Sequence, residues 1–188
     1  MPFSMGEVLY ERGCDARILG ALLDPAVVRR TETLPQGWGP EWLLRRAATG
    51  EFHALIDAGA LVVGFSNAEA ARLLLAELPA AFAGVCFLSR GDECLVLLRD
   101  GRAPALAQCG LAPGQRFTFY DHVHTTGLDV PQAPSARAAL TLGKDTLWRD
   151  YAQAAFRMRS LAPGAQTLEV FIPPEVRHLI EQAGRQAE

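Results

Sequence analysis

The chain has 188 residues, 49 % of them hydrophobic, with 21 acidic groups against 18 basic ones. That length fits one domain with a sizeable core and no need of staples. The net charge of −3 excludes any global attraction to nucleic acid or anionic lipid. Seventeen of the basic residues are Arg and one is Lys144, a skew in which Arg abundance alone identifies no phosphate ligand. Cysteines at 14, 86, 94 and 109 never form C-x-x-C, which speaks against a zinc ribbon and a disulfide scaffold. No run approaches the ~20 apolar residues of a membrane span. Met1 to Glu7 lack a basic stretch followed by an apolar one, so the expectation is a cytoplasmic protein with no signal peptide.

Residues 1–50 read as a weakly patterned N-terminal appendage. Val27 to Pro40 is rich in turn formers and reads as a linker, and Glu41 to Ala48 as a short amphipathic helix. From residue 51 the pattern becomes alternating strands and helices. Ala60 to Phe65 is continuously apolar, as a strand buried on both faces would be. Ser66 or Asn67 then caps a helix with Glu69 in its first turn, ended by Pro79. Gly84 to Ser89 predicts the next strand. Glu93 to Arg99 and Arg102 to Gln108 flank Asp100-Gly101, a strong hairpin signal. Strands follow at Phe117 to Asp121, Ala138 to Leu142 and Thr167 to Ile172, with a helix from Leu147 to Ser160 and a last one from Pro174. This alternation predicts an α/β fold over residues 51–188 with a mostly parallel central sheet and the hairpin inserted at its margin. Chemistry in such sheets gathers where the strands end.

Four constellations bear on chemistry. Asp121-His122-Val123-His124-Thr125-Thr126-Gly127-Leu128-Asp129 follows a strand, but two His two residues apart on extended chain point to opposite faces, so no metal site is expected there. On a helix Gln153 and Arg157 share a face, with Arg159 about 200° round from Arg157. Such a pair suits phosphate or carboxylate binding, and equally a solvated polar face. Gly143-Lys144-Asp145 is a near miss of a phosphate loop, because residue 138 is Ala and residue 145 lacks a hydroxyl. Cys109, in Gln108-Cys109-Gly110, could act as a nucleophile with His122 or His124 as base, or simply be a small thiol closing the hairpin.

Several strings in the same order resemble one family. They are Ala54 to Leu61, Ala107 to Gly110, Phe119 to Asp129, Ala139 to Asp145 and Arg149 to Arg159. The family comprises very large proteins of fungi, plants and some bacteria often labelled ubiquitinyl hydrolase or ubiquitin thioesterase, and the similarity covers about residues 51–176, a C-terminal piece of such a protein. More distantly, the same segments resemble the second RecA-like lobe of superfamily 2 helicases. That likeness implies a RecA-like three-layer sandwich over 51–188, with Thr126, Gly127 and Asp129 in a ligand-contacting loop and Gln153 and Arg157 on the helix that supplies arginine fingers. Arg159 falls one residue short of the second finger, and Phe156 stands where a Gly is usual. The lobe that would carry a phosphate loop is absent from the sequence.

Three functions follow as expectations. One is a helicase-C-like module that binds a nucleotide or phosphate ligand only with a partner lobe or another chain, using Gln153, Arg157 and Arg159; it holds no cofactor alone, ATP being possible only in that company. The second, implied by the family label, is a thiol hydrolase of ubiquitin-like conjugates using Cys109 with His122 or His124. The third is a non-catalytic interaction domain.

Overall fold

The apolar runs become a seven-stranded sheet in a computed structural model of the chain, which describes residues 14–124 and 129–187. The strands are β1 (Val28–Thr33), β2 (Ala54–Ile56), β3 (Gly84–Leu88), β4 (Cys94–Leu98), β5 (Arg116–Tyr120), β6 (Arg137–Thr141) and β7 (Thr167–Ile172), in the spatial order β1-β7-β6-β2-β5-β3-β4. All neighbours are parallel except β3 and β4, so the sheet is mostly parallel with an antiparallel hairpin at its edge. Ser89 to Glu93 turns that hairpin. A second turn at Asp100-Gly101, with Gly101 at φ +86°, a conformation open to glycine, brings the chain back along the outer side of β4. The returning arm pairs through Val96 N–H to Pro104 O and Leu98 N–H to Arg102 O, then tightens into a 3-10 turn at Leu106–Gln108.

Successive strand residues point to opposite faces, and each face has its own core. On one face Leu55, Val85, Phe117, Phe119 and Phe171 pack against α2 (Pro40–Thr49) and α3 (Asn67–Glu77). On the other, Ile56, Cys86, Tyr120, Leu140 and Leu168 meet Leu22 of α1 (Cys14–Leu23), Ala154 and Ala155 of α4 (Trp148–Ala155), and Met158. The small residues of α4 let it sit close on the sheet. α3 starts where expected: the Ser66 hydroxyl accepts the Glu69 N–H while the Glu69 carboxylate accepts the Ser66 N–H. α5 (Pro174–Ala187) closes the chain.

Three expectations need correction. Ala60 to Phe65 is a loop, and the strand is β2, which ends at Ile56 with three residues between it and Ala60. The Asp57 carboxylate accepts the N–H groups of Leu61 and Val62, both at 2.9 Å, and Ala60 turns at φ +52°. Those amides are therefore spent locally, while Leu61, Val62 and Phe65 satisfy their apolar character by packing against the core. Residues 28–49 are not an appendage. β1 extends the sheet beside β7, and Leu43, Leu44, Ala47 and Ala48 of α2 are wholly buried in the first core. β1 reads as linker because it is an edge strand whose Arg29, Arg30 and Thr31 are exposed. Finally, α4 ends at Ala155 instead of Ser160. Phe156 N–H bonds back to Ala152 O and Arg157 N–H to Ala154 O, so the last turn tightens and Arg157 lies beyond the helix.

Candidate functional site

β2 and β6 are adjacent and parallel, yet the helices that follow them cover opposite faces, α3 the first and α4 the second. Their outgoing loops therefore diverge, which leaves a crevice beyond the strand ends. A cavity of about 650 Å³ fills it, a volume typical of small-molecule sites. Its walls are the loop after β2 (Ala58 to Leu61), His122 after β5, Gly143 to Thr146 after β6, Asp150 and Gln153 of α4, and the start of α5 with Glu175.

A buried polar node sets the floor. Asp57, 1 % exposed, accepts the Thr141 hydroxyl at 2.7 Å besides the two loop amides, and its own N–H donates to Tyr120 O. The Gly59 N–H in turn donates to Thr141 Oγ1 at 3.0 Å. The two loops touch backbone to backbone. A Cβ on Gly59 would lie 2.5 Å from Gly143 N, and a Cβ on Gly143 the same distance from Gly59 O, so each position requires glycine. Thr146 Oγ1 accepts the Gly143 N–H and fixes the second loop. Asp150 Oδ2 accepts the Leu147 N–H and starts α4.

Of the expected site residues, His122 and Gln153 meet at this cavity, together with Lys144 of the near-miss phosphate loop. Thr126 and Gly127 lie outside the described residues, as does the side chain of His124. Asp129 pairs with Arg159, its Oδ1 accepting from Nε at 3.1 Å, on a well-exposed surface. Arg157 is half-buried just past α4 and is not part of the cavity wall. Burial, and then the neighbouring Arg159 guanidinium, pull its pKa below the usual guanidinium range. Gln153 and Arg157 thus part company, because the helix stops between them. Tyr120, beside Arg157, is wholly buried, with its phenol pushed up to about 12; Gln132 Nε2 donates to its oxygen at 3.2 Å.

Cys109 lies elsewhere. It ends the 3-10 turn of the hairpin arm, lines a separate hollow with Leu98, Arg102 and Pro104, and packs on the core near Cys86. A nucleophile and its base need hydrogen-bond reach, and Cys109 and His122 share no cavity. Burial pushes the Cys86 thiol up to about 12 and raises that of Cys94, which marks these two as packing residues. A larger hollow of about 890 Å³ lies at the end of β3 between Arg72 and Arg90, but the α3 terminus on its rim is already occupied by its own Glu69.

Asp57, Thr141 and Glu175 are the site residues that sequence reading passes over. The signal for Asp57 is a single acid followed by Ala-Gly directly after an apolar triplet. No family model, curated protein or solved structure matches the chain.

Proposed function

We propose that the chain is a RecA-like module of the helicase-C kind, without a phosphate loop of its own, that completes a site for a nucleotide or related phosphate ligand with a second lobe or chain. The observation that carries this reading is the cavity at the switch point of a mostly parallel sheet, with Gln153 on its wall. The wall chemistry supports a division of the ligand. Asp145, Asp150 and Glu175 accept hydrogen bonds from hydroxyl and amino groups and repel a phosphate. Lys144 is the one ammonium among the described residues there, and it follows β6 after only Leu142 and Gly143, with no cradle of backbone N–H groups before it. The cavity therefore suits the sugar-and-base end of a nucleotide, and the phosphates draw their cations from the second lobe. Arg159 sits beyond the wall on the exposed surface, paired with Asp129.

Titration of the chain with a fluorescent ADP analogue, read as anisotropy, tests this. Binding should be competed by adenosine and not by inorganic phosphate, and Gln153→Ala should weaken it roughly tenfold, the effect of one or two hydrogen bonds. ATP turnover by the chain alone should be undetectable. Displacement by phosphate alone, or ATP hydrolysis lost on Lys144→Ala, would overturn the reading.

A further inference from the structure

The two edges of the sheet are finished differently. β4 is covered on its outer side by the returning arm, through Val96 N–H to Pro104 O and Leu98 N–H to Arg102 O. β1, at the other end of the strand order, has no such cover among the described residues. Its register shows which backbone groups are spare. Leu34 N–H donates to Ile172 O just past the pair of Thr33 with Ile172, so Arg30, Glu32 and Leu34 turn their backbone groups to β7. Arg29, Thr31 and Thr33 turn theirs outward. An open edge of this kind is a template for one more strand. No Pro interrupts Val28 to Thr33, and the irregularity between Val28 and Arg30 leaves Arg30 to Thr33 regular.

We propose that a second copy of this chain adds its own β1 along this edge, antiparallel, about a two-fold axis at Thr31. The order Arg30-Thr31-Glu32 selects both occupant and register, because it is complementary to itself. With the axis at Thr31, Thr31 faces the other copy's Thr31 and Arg29 faces the other copy's Thr33, at positions whose N–H and C=O groups point across. Arg30 faces the other copy's Glu32, and Glu32 the other copy's Arg30, at the intervening positions where side chains come closest. Moving the axis one residue either way sets Arg30 against Arg30 or Glu32 against Glu32, like charges directly opposite. Glu32 is held ready: Arg46 of α2 donates to both its oxygens, at 3.1 and 2.7 Å, and its side chain is 14 % exposed. Arg30, 61 % exposed, stands 3.7 Å from its own Glu32, beyond hydrogen-bond range, and is free to reach across. α1, which leads into β1, leaves Leu19 and Leu23 exposed one turn apart, apolar area near the same margin. A contact of this kind is isologous and closes on itself as a dimer. The axis turns the two sheets end for end, so their cavities open at opposite ends of the joined sheet. The second copy is therefore not the second lobe of the ligand site, and each reading is tested without the other.

Sedimentation velocity of the full chain across the micromolar range tests the proposal, and a monomer–dimer equilibrium is expected. Thr31→Pro removes the donor at the axis and leaves the bonds to β7 in place, because the Thr31 N–H points outward. Association should weaken about a hundredfold or more, with an unchanged circular-dichroism spectrum. Arg30→Glu, at an exposed side chain that the fold does not need, sets like charges opposite each other and should weaken it about tenfold. The register has its own readout. Thr31→Cys places two thiols opposite each other and should give a covalent dimer on treatment with diamide. Thr33→Cys should cross-link no more than wild type, since its two copies lie ~13 Å apart along the ladder. A chain that stays monomeric throughout, a dimer indifferent to Thr31→Pro or to Arg30→Glu, or cross-linking through Thr33→Cys equal to that through Thr31→Cys each overturns the proposal.

Discussion

The two ends of the sheet are built on opposite plans. At the end where the parallel strands begin, charged groups are consumed internally. Arg137 bonds Glu169 and Glu51 and lies over the Phe52 ring at 5.4 Å. Arg116, at the start of β5, donates to Leu111 O and Pro131 O. At the end where the strands finish, Lys144, Asp145 and Glu175 line a cavity, and among the described residues none of them has an ion-pair or hydrogen-bond partner. One end ties loops down; the other leaves polar groups facing space. The same strands thus serve stability at one end and recognition at the other, and the two can be perturbed separately.

Asp57→Ala is the largest expected break, because it crosses from one plan to the other. Removing the carboxylate orphans the Leu61 and Val62 amides and the Thr141 hydroxyl in a buried setting, a loss of about 3–5 kcal/mol in denaturant unfolding. Because the same bonds hold the cavity floor, binding of the ADP analogue should fall with stability. A loss below about 1 kcal/mol would mean that water replaces the carboxylate and that the node does not hold the loops.

Glu169→Ala sharpens the contrast from the other end. It removes the better-buried partner of Arg137, whose Glu51 contact is exposed, and should cost about 1–3 kcal/mol. Ligand affinity should be untouched. A change of affinity in this variant at a temperature where it is fully folded would show that the two ends are coupled through β6 and β7, and the separation of roles would fail.

How much of this the sequence carries depends on what each segment is buried against. β3, β5, β6 and β7 are readable because both faces of a parallel sheet are covered, so their runs are buried almost throughout and largely apolar. β1 is not, since an edge strand with Arg29, Arg30 and Thr31 exposed has no such signature. Ala60 to Phe65 has the composition of a strand and the hydrogen bonding of a loop. The deciding bond, from Thr141 to Asp57, joins residues 84 positions apart, and no local pattern reports it. For the site, His122, Lys144 and Gln153 are legible as polar residues after strands. The separation of Gln153 from Arg157 is not, because helix propensity runs on through Phe156 while the observed chain tightens there.

The smallest expected effect is a pH dependence seated at the closed end. His53 Nδ1 accepts the Arg137 backbone N–H at 3.3 Å, and its ring stands edge-on to Phe82 at 5.5 Å. Burial first, and then the Arg137 charge, hold its pKa below the ordinary 6.5. A depressed folded value means that the unfolded chain takes up the proton more readily. The contribution of His53 is therefore intact above about pH 6.5 and is lost as pH falls through the folded value. Protonation at Nδ1 would also set two donors against each other. Unfolding free energies measured between about pH 8 and pH 5 should fall on the acid side, and less steeply in His53→Asn, whose amide oxygen can still accept from Arg137 N–H. His178→Asn, altering an exposed ring on α5, should leave the slope as it is. Equal slopes in wild type and His53→Asn would remove His53 from the closure of this edge and leave it to the arginine pairs alone.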